Sequence, residues 1–517
     1  MTFEIVFVLL SLLGMMAALI ADKMRPGMVL FSVVVLFLCA GILTPKEMLE
    51  GFSNKGMITV ALLFLVSEGI RQSGTLGQVI KKLLPQGKTT VFKAQLRILP
   101  SVAFISAFLN NTPVVVIFAP IIKHWAKSVK LPATKFLIPL SYVTILGGIC
   151  TLIGTSTNLV VHGMILEAGY EGFTMFELGK VGIFIAIAGI IYLFIFSKRL
   201  LPDARPDTAV PDEEVEEGEK LHRVEAVLGA RFPGINKKLS DFNFQRHYGA
   251  EVKEIKTRNG QRYVDHLEDV VLREGDTLVV MADDTFIPTW GESSVFVLLT
   301  NGNDPDTSGK KKRWLALILL VLMIVGATVG ELPATKEMFP DIKLDMFFFV
   351  SITTIIMAWT KIFPARKYTK YISWDILITI ACAFAISKAM VNSGVADAVA
   401  RFIIGMSHHY GPHVLLAAVF IITNLFTELI TNNAAAALAF PLALSISSQM
   451  GVSPMPFFVV ICMAASASFS TPIGYQTNLI VQGIGNYKFT DFVRIGLPLN
   501  IITFLISIFL IPLIWPF

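Results

Sequence analysis

Long apolar runs dominate the chain. Ile5–Ile20, Met28–Ile42, Val181–Phe196, Trp314–Val329, Met346–Trp359, Ile376–Met390 and Ile495–Trp515 carry almost no charge. Each comes near the length of about 20 residues that crosses a bilayer as a helix. Many further apolar runs follow the first, and no small-residue cleavage site ends it, so it reads as a span and not as a signal peptide. Elsewhere polar groups cut into apolar stretches at Asn110-Asn111, Gly154–Asn158, Asn432-Asn433 and Gly474–Asn478. The first and third of these predict hairpin tips, the second and fourth helices unwound near their middle.

The pattern changes between Pro202 and Ser308. An acidic stretch, Asp212–Glu217, reads as a solvated linker. Alternating runs then predict strands at Arg223–Leu228, Ala250–Ile255, Thr277–Met281 and Ser294–Leu299. Arg258-Asn259-Gly260 is a hairpin-turn signal, and Arg273–Asp276 turns into the third run.

The apolar parts repeat. Gly154-Thr155-Ser156-Thr157-Asn158-Leu159-Val160-Val161-His162-Gly163 returns as Gly474-Tyr475-Gln476-Thr477-Asn478-Leu479-Ile480-Val481-Gln482-Gly483, an offset of 320 positions. Ile58-Thr59, Ala61, Phe64 and Ser67 return at the same offset as Ile378-Thr379, Ala381, Phe384 and Ser387. A duplicated apolar chain with polar breaks is the pattern of secondary transporters. Composition agrees: 54 % of residues are hydrophobic and 16 % charged, where soluble domains run to about 25 % charged. Cys39, Cys150, Cys382 and Cys462 lie in apolar segments and form neither a disulfide framework nor a metal motif.

Charge sets the topology. Lys and Arg crowd Arg71–Arg97, Lys123–Lys135, Lys198–Arg199, Lys310–Arg313 and Lys361–Lys370, and are absent from Phe402 to Tyr487. Basic loops on the cytoplasmic side then give oppositely oriented halves. Gln95–Lys127 enters from the cytoplasm as a re-entrant hairpin and Val414–Ser448 from outside. Nothing in the mild net charge of +5 calls for nucleic acid. The expected architecture is an α-helical polytopic membrane protein of about 11 crossings in two inverted repeats, with a small α/β cytoplasmic domain inserted. The domains are 1–200, 201–310 and 311–517.

Tips at mid-membrane must face protein or a watery site. An Asn there can coordinate a cation through its oxygen or donate to an anion through its amide. Broken helices aim positive N-termini at anions and carbonyl-rich ends at cations. Such a site couples an anion to a cation. Glu428, one turn before the second tip, is costly in a membrane unless it binds a cation, pairs with a charge or carries a proton. Glu68 and Lys388 occupy equivalent positions with opposite charge, and either pair with each other or snorkel separately near span ends. His162 reads as packing, and His408, His409 and His413 as a solvated loop. No nucleophile elbow, P-loop or dinucleotide fingerprint occurs in a suitable context, which argues against an enzyme and for transport driven by ion gradients.

Two resemblances sharpen this. On Gly51–Val60, the Asn tips and the two Gly-Thr-Pro-Pro-Asn-like loops, both halves resemble the divalent anion:sodium symporter family, within a superfamily that also holds citrate, arsenite and sodium/proton carriers. That resemblance implies a homodimer in which a hairpin unit moves against a scaffold like an elevator. It implies anion binding by Asn110, Asn111, Thr112, Asn432, Asn433 and Ala434, with Thr155 and Thr477 from the loops. It implies sodium sites at Ser106, Asn110, Asn111, Gly154 and Asn158, and at Glu428, Thr431, Asn433, Gly474 and Asn478. Asn replaces the family's Ser at both tips, and Ala434 replaces a Thr, which tilts the expected substrate from a C4-dicarboxylate toward sulfate. The loops' proline pairs are missing. On Phe232-Pro233-Gly234, Leu239, Phe242, Tyr248-Gly249-Ala250, Val252, Leu272, Gly275-Asp276 and Leu278-Val279-Val280, the insert resembles the C-terminal regulatory domain of TrkA-type potassium-uptake proteins. That implies a regulatory module able to dimerise and to bind a small ligand such as a nucleotide.

The expectation is therefore a sodium-driven symporter of a small divalent anion in a bacterial inner membrane, regulated through its cytoplasmic domain. A proton-coupled anion carrier, a sodium/proton exchanger and a membrane anion sensor without net transport are the alternatives.

Overall fold

The computed structural model describes all residues except 1–2, 22, 86, 204–221, 230–231, 258–260, 284–285, 287–289, 291–294, 301–309, 340 and 407–410. The acidic linker, the Arg258–Gly260 turn and His408-His409 lie outside the described residues.

The protein is mostly helical. Helices α1 (Phe3–Ala21) and α2 (Pro26–Cys39) precede the short α3 (Pro45–Glu50), α4 (Lys55–Gln72) and α5 (Thr75–Leu83). Helices α6 (Val91–Ser106) and α7 (Asn111–Ser128) form a hairpin, and α8 (Leu137–Gly148), α9 (Ser156–Glu167) and α10 (Gly179–Leu200) follow. After the sheet region come α12 (Lys310–Gly330), α13 (Pro333–Met338), α14 (Met346–Trp359), α15 (Tyr368–Tyr371), α16 (Trp374–Asn392) and α17 (Val395–Met406). Helices α18 (Gly411–Leu429) and α19 (Asn432–Met450) form a second hairpin, followed by α20 (Met455–Ser466), α21 (Gln476–Gly485) and α22 (Phe489–Ile514).

Among the described residues, seven helical stretches are long and apolar enough to cross a membrane: α1, Pro45–Gln72, α10, Lys311–Gly330, α16, α18 and α22. Helices α1, α12 and α22 turn large apolar side chains outward, including Leu10, Leu13, Trp314, Leu322, Phe509 and Leu513. Such faces suit lipid, not water.

The interior is organised by two short helices. Every residue of α8 is buried, as is every residue of α20 after Met455. Each has 12 residues, about 18 Å of helix against a hydrocarbon core of about 30 Å. Neither spans alone. Each continues, after an irregular break, into a second short helix, α9 or α21. Each is also packed by the hairpin that precedes it in sequence, α6–α7 or α18–α19.

Local chemistry explains the boundaries. Asn54 caps α4 by accepting the Gly56 amide at 2.8 Å. Gly74 and Gly394, with φ of 71° and 75°, supply the left-handed residue that turns α4 into α5 and α16 into α17. Glu68 accepts from Arg71 at 2.6 and 2.8 Å. It does not pair with Lys388, which lines a cleft with Lys55 at the opposite end of α4, about 20 Å away at 1.5 Å per residue.

Between the helical halves, β1 (His222–Leu228), α11 (Phe244–Tyr248), β2 (Glu251–Lys256), β3 (Arg262–Tyr263), β4 (Thr277–Ala282) and β5 (Phe296–Thr300) make one sheet of order β3-β2-β4-β1-β5. All its pairings are antiparallel. Alternation along β1 buries Val224 and Ala226, which join Phe232, Phe242, Phe244, Tyr248 and Phe296 in a separate core. Phe232 and Phe242 pack edge-on with ring centres 5.0 Å apart.

This sheet rests on the second hairpin arm and on a broken-helix segment. Lys123 of α7 donates to both Glu225 carboxylate oxygens at 3.0 and 3.1 Å, and Lys256 to one at 3.3 Å. Gly275 lies over Leu479 of α21, and Thr277 lies so close to Gly483 that a side chain there would collide. Burial would raise the Glu225 pKa, but Lys123 and Lys256 together bring it down to about 2 from an ordinary 4.5. A carboxylate with a depressed pKa contributes stability that is whole above about pH 4.5 and lost as pH falls toward 2. The melting temperature of the purified protein should therefore drop between pH 4.5 and 3, and Glu225→Gln should flatten that part of the profile.

Candidate functional site

The breaks in α8–α9 and α20–α21 are closed by the same device. Asn158 donates its amide to the carbonyls of Thr151 at 2.8 Å and Gly148 at 3.4 Å. Asn478 donates to those of Thr471 at 3.1 Å and Ser468 at 2.9 Å. The threonine hydroxyls then accept the amides of Gly154 at 3.1 Å and Gly474 at 3.4 Å. Backbone groups exposed by unwinding are thus paired inside the protein. Gly154 packs on the Gly148 carbonyl and Gly474 on the Thr427 carbonyl so closely that a Cβ at either would clash.

Against these loops lie the hairpin tips. Ser106, at the end of α6, donates to Asn111 Oδ1 at 2.7 Å. The Asn111 amide then reaches across to the Tyr475 hydroxyl at 2.6 Å, and Thr112 meets Gln476 at 3.3 Å. In the reverse sense, Asn433 Oδ1 accepts from Ser156 and Thr157, both at 3.3 Å. Each tip therefore touches the broken loop of the other half. Thr155 and Tyr475, sequence equivalents 320 positions apart, touch directly at 3.0 Å.

Four helices begin at this junction: α7, α9, α19 and α21. Their N-caps, Asn110, Thr155, Thr431 and Tyr475, make no side-chain capping bond. The first-turn N–H groups of four helices are left uncapped around one point, with the positive ends of four dipoles. Carboxamide and hydroxyl groups surround them. That is a donor-rich setting suited to an anion.

Oxygen acceptors lie just beside it. Among the described residues, Asn158 Oδ1 and Thr431 Oγ1 are buried with no hydrogen-bond partner, one in each half. Glu428 behaves differently from its equivalent, Ser106. Its carboxylate accepts the amides of Ser470 and Thr471, both at 2.9 Å, and the Asn500 side chain at 2.7 Å, with the Ser468 hydroxyl at 3.4 Å. Two backbone N–H donors fasten it to the second break, and Asn500 ties it to α22. The Ser141 hydroxyl lies 2.8 Å from the Thr477 hydroxyl and 2.7 Å from Asn478 Oδ1. Ala434 is buried, and Asn110 borders a small void with Ser156 and Leu159. Asn432 starts α19 beside Tyr475.

A cleft of about 1060 Å³ opens between α4, α9 and the α13–α14 segment, lined by Lys55, Glu167, Asp345 and Lys388 among others. Lys55 and Asp345 form an ion pair in it. Leu159 borders both this cleft and the void at Asn110. His162 lines the cleft and packs against Gly172.

Sequence reasoning gave no role to Tyr475, Gln476, Ser156, Ser141 or Asn500. The 320-residue offset, applied position by position, pairs Tyr475 with Thr155 and so marks the first. Asn500 stands out as an amide inside an apolar 26-residue helix. Ser141 gave no signal, because its partners come from the other half.

Lipid-facing helices around polar, broken-helix chemistry define a membrane transporter. The chain belongs to the citrate transporter family, whose profile matches residues 16–443 and 342–516. It is 30 % identical to an uncharacterized transporter of Synechocystis over 93 % of this chain and 92 % of the relative. A probable sodium/sulfate cotransporter of Chlamydomonas reinhardtii is 22 % identical over 95 % of this chain and 86 % of the relative. A sodium-dependent dicarboxylate transporter of Staphylococcus saprophyticus is 25 % identical over 29 % of each chain.

The three N–H donors on Glu428 predict that Glu428→Gln destabilises the fold, since an amide would face them with a donor of its own. The loss should be about 1.5–3 kcal/mol, the range for hydrogen bonds to a charged group. Asn478→Ala, which opens the second break, should cost about 2 kcal/mol for two lost bonds. Thermal melting of detergent-purified protein checks both, and unchanged melting of Glu428→Gln would show that the carboxylate fastens nothing.

Proposed function

We propose that this protein is a sodium-coupled symporter of a small divalent anion, with sulfate preferred over C4-dicarboxylates. The convergence of four uncapped helix N-termini, α7, α9, α19 and α21, on one set of cross-half hydrogen bonds carries the reading. A dianion at that point takes the uncapped N–H groups and the amides of Asn110, Asn111, Asn432 and Asn433, with Thr112 and Thr155 beside them. The unpartnered oxygens of Asn158 and Thr431 support one sodium ion in each half. The first is held with Ser106, Asn110, Asn111 and the Gly154 carbonyl. The second is held with Asn433 and the Gly474 carbonyl. Glu428 adds negative charge beside the second ion while fastening the break. The names of the cotransporters among the relatives point the same way.

In this reading, residues 1–200 and 311–517 are inverted repeats with about eleven crossings and two re-entrant hairpins, in a plasma membrane. The cleft at Lys55 and Asp345 opens outside, where the positive-inside rule puts the start of α4. The hairpins and broken helices move together against the remaining helices, and the protein works as a homodimer. Residues 201–310 form a cytoplasmic module of the TrkA C-terminal kind. Its grip on Lys123 and Gly483 restrains the moving unit.

Proteoliposomes test this. Labelled sulfate should accumulate only under an inward sodium gradient, and Asn111→Ala or Asn433→Ala should cut the initial rate at least about tenfold, the factor for about 1.4 kcal/mol. Uptake that follows a proton gradient, with no response to sodium, would replace the coupling assignment. Movement of neither sulfate nor succinate under any gradient would sink the proposal.

A further inference from the structure

The two halves are not equal at their meeting point. Thr155 and Tyr475 hold the same place in the repeat, the residue before α9 and the residue before α21. One is short, the other long. Two short side chains at these places would leave an open space between the tips, with a hydroxyl on either side. Here the phenol crosses the whole gap and its oxygen lies 3.0 Å from Thr155. Tyr475 is 6 % exposed. Its hydroxyl is held by the Asn111 amide at 2.6 Å and has the Asn432 side chain as a further hydrogen-bond neighbour. A buried ring fixed at its far end cannot swing aside without breaking bonds in both halves.

A second, independent asymmetry lies beside it. Thr112 offers a hydroxyl at the first tip, whereas its equivalent at the second is Ala434, which is buried and offers none. A C4-dicarboxylate carries its two charges at the ends of a chain, so it needs two separate clamps and room for the carbons between them. In this chain one tip offers no hydroxyl, and an aromatic ring lies between the two tips. A tetrahedral oxyanion presents all its oxygens around one centre and needs neither.

We propose that Tyr475 is the specificity-determining residue of this transporter: its ring excludes dicarboxylates, and its hydroxyl, aimed by Asn111, helps to hold a compact tetrahedral oxyanion. The inference rests on the anion-transport reading above and adds its substrate limit.

Ligand-induced thermal stabilisation of the full-length protein in detergent, with sodium present, tests it apart from transport. Sulfate, molybdate and succinate are titrated against wild type, Tyr475→Phe and Tyr475→Thr. Wild type should be stabilised by sulfate and molybdate and not by succinate. Tyr475→Thr, which restores the short residue of the other half, should gain stabilisation by succinate. Tyr475→Phe keeps the ring, so succinate should stay excluded, while sulfate affinity falls about tenfold for one lost hydrogen bond.

Wild type stabilised equally by succinate and sulfate overturns the role of Tyr475 and leaves the symporter reading standing. So does a folded Tyr475→Thr that binds sulfate and still ignores succinate. If the threonine variant does not fold, the phenylalanine variant decides, and unchanged sulfate affinity or new succinate binding there overturns the proposal. No stabilisation of wild type by any of the three anions sinks both this inference and the anion reading beneath it.

Discussion

A backbone amide or carbonyl in hydrocarbon must find its partner within the protein. The rest of this structure follows from how two interrupted helices meet that demand. Asn158 and Asn478 stand in for the missing helical bonds by bridging two carbonyls each. Thr151 and Thr471 take the next amides. Because the breaks are closed from within, the helices that restart after them can leave their own first turns open. Those open turns border the candidate site. The hairpin tips complete it, each against the loop of the opposite half, so neither half forms the site alone.

The halves share a plan but not a chemistry. Where the first has Ser106 bonded to the tip asparagine, the second has Glu428 bonded to the break itself. Where the first has Thr155, the second has Tyr475. Ser141 fills the acceptor of Asn478, while the matching oxygen of Asn158 has no partner among the described residues. Each difference moves charge or volume from one side of the junction to the other. A duplicated frame thereby gives a junction with two unlike sides.

The sheet region adds a second level of organisation. Its core is aromatic and separate from the helical core. Its attachment is polar and local, made through Glu225 to α7 and through the Gly275–Thr277 turn to α21. Both contacts fall on segments that carry site residues at their other ends, Asn111 and Gln476. A change in the sheet's seating would thus be felt along two rigid helices that begin at the site.

The sequence by itself determined the apolar helices, the polar interruptions, the strands of the inserted sheet and the repeat that ties the halves together. These depend on spacing within a segment: about twenty apolar residues for a span, alternation for a strand, a fixed offset for a duplication. It also singled out the tip asparagines, because an amide in an apolar run is conspicuous wherever it lies. Tertiary structure alone decided what those amides bond. Asn158 and Asn478, expected beside cations, close the breaks with their amides, and of their two oxygens that of Asn158 has no partner among the described residues. Thr477, expected at the substrate, meets Ser141, while Tyr475, which carried no expectation, crosses to Asn111. Glu68 finds Arg71 in its own last turn. The physical reason is distance: periodicity reports a residue's neighbours a turn away, whereas Tyr475 and Asn111 meet across 364 positions of chain, where only the packing of the two halves against each other brings them together.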